Sequence, residues 1–420
     1  MTRIERATPA DLTQLASDLP GSPMQVAAVL VLGATPELDA VREAIGVRVQ
    51  AVPRLRQRLA RTPFGGGRPV WVDDPEFDVR HHVTAVKARG TLLGIVADRV
   101  NRRLPRDRPL WSATLVTALP DGQAALIMVL HHVLADGVGG LAVLGRLVDG
   151  SPATPAAGFP RPAPSRRELL LDAARLRLRA MTRRPAIPLL GQAVPRSPRS
   201  SLNRPIGDHR SLAVARADLA AVQRVAHAHG ATVNDVLLTA VSGALQAVLR
   251  LRGENVDRFV LSVPVSARRT TTTDRLGNQV GFMPVPVIVA GDQYQRLAAV
   301  ARTTRARRPA DPAASAALIR PLFRALAALG LFRWFAGRQR VVTTMVTDLR
   351  GPGTRLSFLA APVTEVIPVS PITGNVTVGF AALSYAGTLT VTITADPDRC
   401  PDLPFLQVRL QGELDRLLDG

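Results

Sequence analysis

The chain has 420 residues, 46% of them hydrophobic, and a formal net charge of +20. This length favours two domains of roughly 200 residues each, and no apolar run approaches the roughly 18 residues that a membrane span requires. Aromatic residues make up only 4% and the single lysine is Lys87, so we expect no nucleic-acid partner. Anionic lipid or a phosphate-bearing ligand suits the charge better.

The first 18 residues, MTRIERATPADLTQLASD, lack the apolar segment of a secretory signal. Cys400 is the only cysteine, so it cannot form an internal disulfide. Both features favour a cytoplasmic protein.

Predicted strands and helices alternate along the first 150 residues. Valine-rich and alternating runs predict the strands, and apolar residues at helical spacing predict the helices. The predicted elements are a strand in MQVAAVLVLG (24–33), a helix in ELDAVREAIGVRVQAV (37–52), a strand in FDVRHHVTAV (77–86), a helix in GTLLGIVADRVNRRL (90–104), and a hairpin of WSATLVTAL (111–119) and QAALIMVLHH (123–132) around the turn PDG.

A proline-rich stretch separates the two halves, with nine prolines between Pro152 and Pro198. We therefore predict a domain at 1–150, a linker at 151–205 and a second domain at 206–420. Within the linker, SRRELLLDAARLRLRAMTRR predicts a helix with apolar residues at Leu169, Leu170, Ala174 and Met181. This helix either packs on the domains with a solvated basic face or lies on a membrane surface.

The second half repeats the mixed pattern of helices and strands. Gly230 ends the first predicted helix, and Thr232 with Asp235 has the spacing of a capping box at the start of the next. The predicted elements are helices at 217–230 and 231–253, strands at 258–268, 280–289 and 340–349, a hairpin of 375–385 and 388–396 joined through Ala386-Gly387, and an amphipathic helix at 403–420.

The stretch HHVLADG at 131–137 carries the clearest chemical signal. Adjacent side chains on a strand point to opposite faces, so His131 and His132 cannot easily bind one metal ion, and no third ligand stands at a recognised spacing. We expect no metal. One imidazole is expected to face a reaction cavity while the other packs inward, and we choose His132 as a general base.

Asp136 and Gly137 would order the turn after this strand. Asp136 is expected to pair with an arginine, and Gly137 either lets the backbone approach a ligand or adopts a positive φ. The competing interpretation is an ordinary turn beside structural histidines. A covalent mechanism is disfavoured, because there is no G-x-S-x-G motif and Cys400 has no sequence link to a histidine.

HHVLADG resembles the HH-x-x-x-DG signature of the CoA-dependent acyltransferase superfamily. Further stretches resemble, in the expected order, the bacterial wax ester synthase/diacylglycerol acyltransferase family. They are RPLW (108–111), SLNRPIG (201–207), TVNDVLL (232–238), VPVSARR (263–269), LGNQVGFMPVPV (276–287) and TDLRGPG (347–353).

The resemblance implies an α/β fold with mixed sheets, in which two chloramphenicol-acetyltransferase-like domains enclose an active-site channel at their interface. It implies that His132 is the general base of a ternary-complex reaction. His131 and Asp136 complete the catalytic motif, with Asp136 mainly structural. Acyl-CoA would be a co-substrate, and no cofactor is expected.

The same resemblance suggests substrate-binding roles for Gly137, Asn234, Asp235 and Asn278, and Arg268 as the partner of Asp136. For Asp235 the alternative is helix capping with Thr232. The expected reaction is esterification of diacylglycerol or a long-chain alcohol to triacylglycerol or wax ester. The alternatives are acyl transfer from a carrier-protein thioester to a polyketide or glycolipid hydroxyl, and a non-catalytic lipid-droplet surface protein.

A second apolar and arginine-rich helix is predicted at 317–340, with Trp334 near its end. It is either a buried domain helix or a segment that inserts into the surface of a membrane or lipid droplet, where arginine side chains reach back to water. We therefore expect a peripheral association with a membrane or lipid droplet.

Overall fold

A computed structural model describes residues 4–19, 21–151, 158–181, 196–266, 280–307, 326 and 331–419. The strands are β1 (Glu5–Arg6), β2 (Gln25–Leu32), β3 (Gln57–Ala60), β4 (Val70–Asp73), β5 (Val83–Lys87), β6 (Trp111–Thr117), β7 (Ala124–His131), β8 (Ser211–Asp218), β9 (Arg258–Ser266), β10 (Val280–Ile288), β11 (Thr344–Arg350), β12 (Ser357–Phe358), β13 (Ala361–Val369), β14 (Val378–Tyr385) and β15 (Thr388–Ala395).

The α-helices are α1 (Pro9–Ser17), α2 (Leu38–Arg48), α3 (Leu92–Asn101), α4 (Gly137–Leu147), α5 (Arg166–Met181), α6 (Leu219–Ala228), α7 (Val233–Leu251), α8 (Gln293–Arg307), α9 (Phe332–Ala336) and α10 (Leu403–Leu418). Short 3-10 helices are Val49–Ala51, Pro53–Arg56, Val79–His81 and Pro120–Gly122. Mixed α/β structure is thus confirmed.

The first large sheet has the strand order β12-β13-β2-β7-β6-β5. The predicted hairpin is confirmed, because β6 and β7 pair in antiparallel fashion around Pro120–Gly122. Every residue of β7 is buried, as expected for a central strand that is covered on both faces. Its last residue, His131, pairs with Gln25 of β2.

The second large sheet has the order β10-β9-β11-β14-β15-β8, with β11 parallel to both of its neighbours. The predicted hairpin of β14 and β15 is confirmed, and Ala386 and Gly387 form its turn with φ values of 46° and 90°. Helices α7, α8 and α10 pack on this sheet. Helix α7 is buried along most of its length, which explains its apolar sequence.

One segment of the second half belongs to the first sheet. Strand β13 pairs with β2, from Val363 opposite Leu32 to Val369 opposite Ala27, and β12 extends the same edge. The division at 1–150, 151–205 and 206–420 remains a prediction about domains. Strands β12 and β13 therefore tie the predicted second domain to the sheet of the first.

Helix α5 packs on a small sheet of order β1-β4-β3. Its Leu169 and Ala173 are buried, and Arg6 Nε donates to Asp172 at 2.6 Å. Another nitrogen of Arg6 donates to the Leu169 carbonyl oxygen at 2.9 Å. These contacts favour the packed form of the predicted linker helix over a free membrane-surface helix.

The predicted strand at 77–86 is wrong in its first half. Asp78 accepts a hydrogen bond from the backbone N–H of Arg80 at 2.8 Å, and this cap starts the 3-10 helix Val79–His81. Strand β5 begins only at Val83. Arg80 and His81 are both exposed while His82 and Val83 are both buried, so the alternation expected for a strand does not extend through this segment.

Within these described ranges, no single helix is both long and apolar enough to cross a membrane. Helices α6 and α7 meet the length and composition criteria only as a pair bent by 96°. Most of α7 is part of the buried core described above.

Candidate active site

His132 lies on a cavity of about 880 Å³ between the two large sheets. Strands β2 and β7 supply one wall, and strands β9 and β11 supply another. Most of the lining side chains are apolar, including Met24, Val26, Met128, Leu130, Met345 and Leu349. The volume falls in the range of about 300 to 1,000 Å³ that is usual for small-molecule sites.

The neighbouring histidine points away from this cavity. His131 is only 3% exposed, and its Nδ1 accepts a hydrogen bond from the backbone N–H of Val133 at 3.0 Å. Because Nδ1 is an acceptor, the ring proton sits on Nε2, which faces Asp18 Oδ2 at 3.5 Å. The geometry therefore places one imidazole on the cavity and the other in the protein interior.

Asp18 is a buried carboxylate beside the His131 ring, in the protein interior. It accepts from the backbone N–H of Met24 at 3.1 Å and forms ion pairs with Arg103 and Arg106. Burial alone would raise the pKa of Asp18, but the His131 ring, the Met24 amide and Arg106 outweigh it and hold that pKa far below its usual range. Asp18 is therefore ionised. Sequence reasoning missed it, because nothing near Asp18 marks it as a partner of a distant histidine.

Asp136 caps the helix that follows the histidines. The Asp136 side chain accepts from the backbone N–H of Gly139 at 2.8 Å, and its carbonyl oxygen accepts from the N–H of Gly140 at 2.7 Å. Asp136 is fully buried. The predicted partner Arg268 lies outside the described residues.

Gly137 is the first residue of α4, and it does not adopt the positive φ that was one of its two predicted roles. An added Cβ would lie 2.9 Å from Cδ2 of Leu349 on β11. The glycine is thus needed for close packing between α4 and the second sheet. Strand, turn and capped helix together fix the position of His132 on the cavity wall.

The remaining predicted site residues lie elsewhere or are not described. Asp235 accepts from the backbone N–H and the hydroxyl of Thr232 and from the hydroxyl of Thr304, so it is a helix cap, as the alternative interpretation predicted. The side-chain oxygen of Asn234 is buried without a hydrogen-bond donor. Neither residue is among the described residues that line the cavity. Asn278 lies outside the described residues.

The structure adds Asp348 of β11 to the cavity wall. No described residue donates a hydrogen bond to its carboxylate, and burial raises the pKa of Asp348 to about 6. The sequence indicated a role for Asp348 only through its place in the stretch TDLRGPG, near the end of the predicted strand at 340–349.

In the second histidine pair, only His82 serves packing. His82 is buried, its Nδ1 hydrogen-bonds to the carbonyl oxygen of Trp111 at 2.9 Å, and its ring stacks on Trp111 with centroids 4.4 Å apart. Burial lowers the pKa of His82, which favours the neutral ring. His81 is exposed on the protein surface.

Comparison with known proteins identifies the family of the chain. The wax ester synthase/diacylglycerol acyltransferase catalytic domain matches residues 8–237, and the C-terminal domain of the same family matches residues 276–418. A Mycobacterium tuberculosis (strain ATCC 25618 / H37Rv) protein named "Probable diacyglycerol O-acyltransferase tgs1" is 31% identical over 93% of this chain and 90% of its own length.

Two solved structures share the fold. A wax ester synthase/diacylglycerol acyltransferase from Marinobacter aquaeolei VT8 has a TM-score of 0.71 and 21% identity, and 98% of each chain is covered. The first condensation domain of the CDA synthetase has a TM-score of 0.63 and 18% identity, and covers 99% of this chain and 96% of its own. By its sequence matches, the chain belongs to the wax ester synthase/diacylglycerol acyltransferase family of acyltransferases.

Proposed function

We propose that the chain transfers an acyl group from acyl-CoA to the hydroxyl of diacylglycerol or a long-chain alcohol, with His132 as the general base. The observation that carries this proposal is the position of His132 on a mainly apolar cavity between the two sheets, while His131 is buried against Asp18. The names of the similar proteins support these substrates.

In the proposed reaction both substrates are bound together. The His132 imidazole takes the proton from the acceptor hydroxyl as its oxygen attacks the thioester carbonyl, giving a tetrahedral oxyanion. Collapse of this intermediate breaks the carbon–sulfur bond and releases the CoA thiolate. The thiolate takes the proton from the imidazolium, so the ester and CoA leave and His132 is neutral again.

The N-terminal end of α4 supports the same chemistry. Gly137, Val138 and Gly140 line the cavity, so this end of the helix lies on it. The N-terminus of a helix carries partial positive charge, which favours an oxyanion nearby. The apolar lining suits a fatty chain and excludes the water that would hydrolyse the thioester.

We also propose that the acceptor reaches the cavity from a membrane or lipid-droplet surface. Helix α9 has one face on the cavity and one on the surface. The cavity face carries Phe332, Phe335 and Ala336. On the surface, Trp334 is 58% exposed, and Leu331, just before the helix, is 46% exposed. Arg338 lies over the Trp334 ring at 5.3 Å. Exposed apolar groups beside arginines suit an anionic lipid interface.

The function is tested by incubating the purified chain with palmitoyl-CoA and, separately, dioleoylglycerol or hexadecanol. Free CoA and the ester product are measured, and the same panel is repeated with a palmitoyl carrier-protein thioester. Ester formation from palmitoyl-CoA supports the proposal. Turnover only with the carrier-protein thioester supports the related acyltransferase, and vesicle binding without turnover of any donor supports a surface protein.

A further inference from the structure

A second cavity of about 440 Å³ lies away from His132, among the helices that cover the second sheet. Its lining comes from α7, α8, α10 and the turn before α8. Four arginines face it: Arg250 from α7, Arg296 from α8, and Arg409 and Arg416 from α10. We call this cavity the arginine pocket.

The carboxylates of the arginine pocket do not balance these four charges. Glu413 is buried, and it pairs with both Arg296, at 3.2 Å, and Arg416. Asp292 also lines the pocket, and its carboxylate accepts from the backbone N–H groups of Tyr294 and Gln295 at the start of α8. Two carboxylates thus face four guanidinium groups.

Two of the arginines that line the pocket have buried Nε donors without an acceptor. Arg296 is only 9% exposed, and its buried Nε has no hydrogen-bond acceptor. The Nε of Arg409 is likewise buried without an acceptor. Arg250 and Arg409 have no ion-pair partner within the described part of the chain. A buried donor left without an acceptor is destabilising, so an anion in the pocket would stabilise the arrangement.

The surrounding backbone leaves room for these side chains. Gly243 of α7 lies where an added Cβ would come within 2.3 Å of both Arg296 Nη1 and Glu413 Oε2. Any larger residue at this position would displace the buried ion pair. The ion pair of Arg296 and Glu413 therefore lies directly against the helix backbone at Gly243.

We propose that the arginine pocket binds a small phosphorylated ligand through Arg250, Arg296 and Arg409. Guanidinium groups bind phosphate oxygens in a paired geometry, and the two positive charges in excess match a phosphate dianion. The volume is that of a small-molecule site and exceeds the space one phosphate needs. Two kinds of ligand carry such a phosphate group, a free nucleoside diphosphate and a phospholipid with its headgroup in the pocket.

The test uses the full chain and one probe for each kind of ligand. Binding of ADP is measured by titration calorimetry, and binding of phosphatidylcholine vesicles with and without phosphatidic acid is measured by sedimentation. The variant carries Arg250→Gln with Arg409→Gln. The control carries Arg224→Gln with Arg258→Gln, which removes the same charge from two exposed arginines outside the pocket. The pocket variant should bind the probe that wild type binds about 10- to 100-fold more weakly, and the control variant should bind it with unchanged affinity.

Each result decides the proposal. Selective loss of ADP binding assigns the pocket to a free phosphorylated ligand, and selective loss of binding to phosphatidic acid vesicles assigns it to a headgroup. The proposal is overturned if neither probe binds, if the control weakens binding equally, or if every probe that binds wild type binds the pocket variant equally well. Arg250 is exposed and unpaired, so Arg250→Gln alone is the test if the double variant does not fold.

Discussion

The Nε2 atom of His131 faces Oδ2 of Asp18 at 3.5 Å, with both side chains only 4% exposed. This contact explains why the motif begins with two histidines. The His131 ring is held in place, since its Nδ1 accepts from the Val133 N–H and its Nε2 lies 3.5 Å from the Asp18 carboxylate. His132 follows directly and lies on the cavity. The support of the His131 ring is electrostatic as well as steric, because Asp18 is ionised.

Asp18→Asn should therefore destabilise the fold, by about 3 kcal/mol in the free energy of unfolding at pH 7. The folded-state pKa of Asp18 is depressed, so its stabilisation is present above its unfolded value near 4 and is lost as the pH falls further. Urea unfolding at pH 7 and pH 3 measures this. The difference between wild type and variant should be smaller at pH 3 but still present, because the folded-state pKa lies below that pH, and a difference that does not shrink at all would contradict the ionic role.

His132→Ala should lower ester formation from palmitoyl-CoA by about 10²- to 10⁴-fold, the usual contribution of a general base. His81→Ala is the control, because His81 is exposed away from the motif and its loss should leave turnover unchanged. His82→Ala should lower the melting temperature, because it removes the stacked ring on Trp111, while folded enzyme keeps its turnover. Equal loss of turnover at His81 and His132 would place the base elsewhere.

Part of this site, and a helix cap outside it, could be predicted from local sequence. Alternation along β7 separates the faces of His131 and His132, and the Thr232–Asp235 spacing predicts a helix cap. The contact of Asp18 with His131 could not be predicted, because it depends on how α1 and β7 are brought together in the fold. Strand β13 was missed because Pro362, Glu365 and Pro368 count against a strand with neighbours on both sides.

Of the two roles predicted for Gly137, the positive φ is wrong, and the close approach of its backbone to a ligand stays a prediction. Glycine suggests a positive φ, but the constraint is the side chain of Leu349 from the other sheet, which no local pattern reveals. Asp348 was overlooked for a similar reason. A lone aspartate in a strand gives no sign of whether it faces water or an apolar cavity.

Gly137→Ala should change substrate preference more than stability. The new methyl group would meet the flexible end of Leu349, which can turn into the cavity at a cost of about 1 kcal/mol. The cavity would then be narrower near His132, and kcat/KM for palmitoyl-CoA should fall about tenfold. A short-chain donor such as butyryl-CoA should be used as before. Adding Leu349→Ala should restore the palmitoyl rate, and a double variant as slow as Gly137→Ala would argue against this steric account.

Trp334→Ala should weaken binding to anionic vesicles about tenfold, because it removes a large exposed ring from the surface proposed to touch lipid. Vesicle sedimentation measures this. The comparison is Phe64→Ala, which removes a fully exposed ring from a different surface, the loop whose Gly65 lies beside Leu170 of α5. A greater loss with Phe64→Ala would move the lipid contact to the α5 side of the molecule.

Asp348→Asn should stabilise the protein at neutral pH. Burial raises the folded-state pKa of Asp348 to about 6, so any favourable contribution of this carboxyl group is present below its unfolded value near 4 and is lost as the pH rises through 6. Above that pH the folded protein holds a charged carboxylate on an apolar wall. Asparagine removes the charge, which should increase the free energy of unfolding by up to about 3 kcal/mol at pH 8.

The pH dependence separates this effect from a simple gain of hydrogen bonds. Wild type and Asp348→Asn should be about equally stable at pH 3, where the carboxyl group is neutral in both the folded and the unfolded state, and should diverge between about pH 4 and pH 6. Asp121→Asn is the matched control, because Asp121 lies exposed in the turn before β7 and asparagine tolerates its positive φ. A constant gain at all pH values would mean that the amide forms new contacts. A loss of stability at pH 8 would mean that the Asp348 carboxylate is stabilised on the cavity wall.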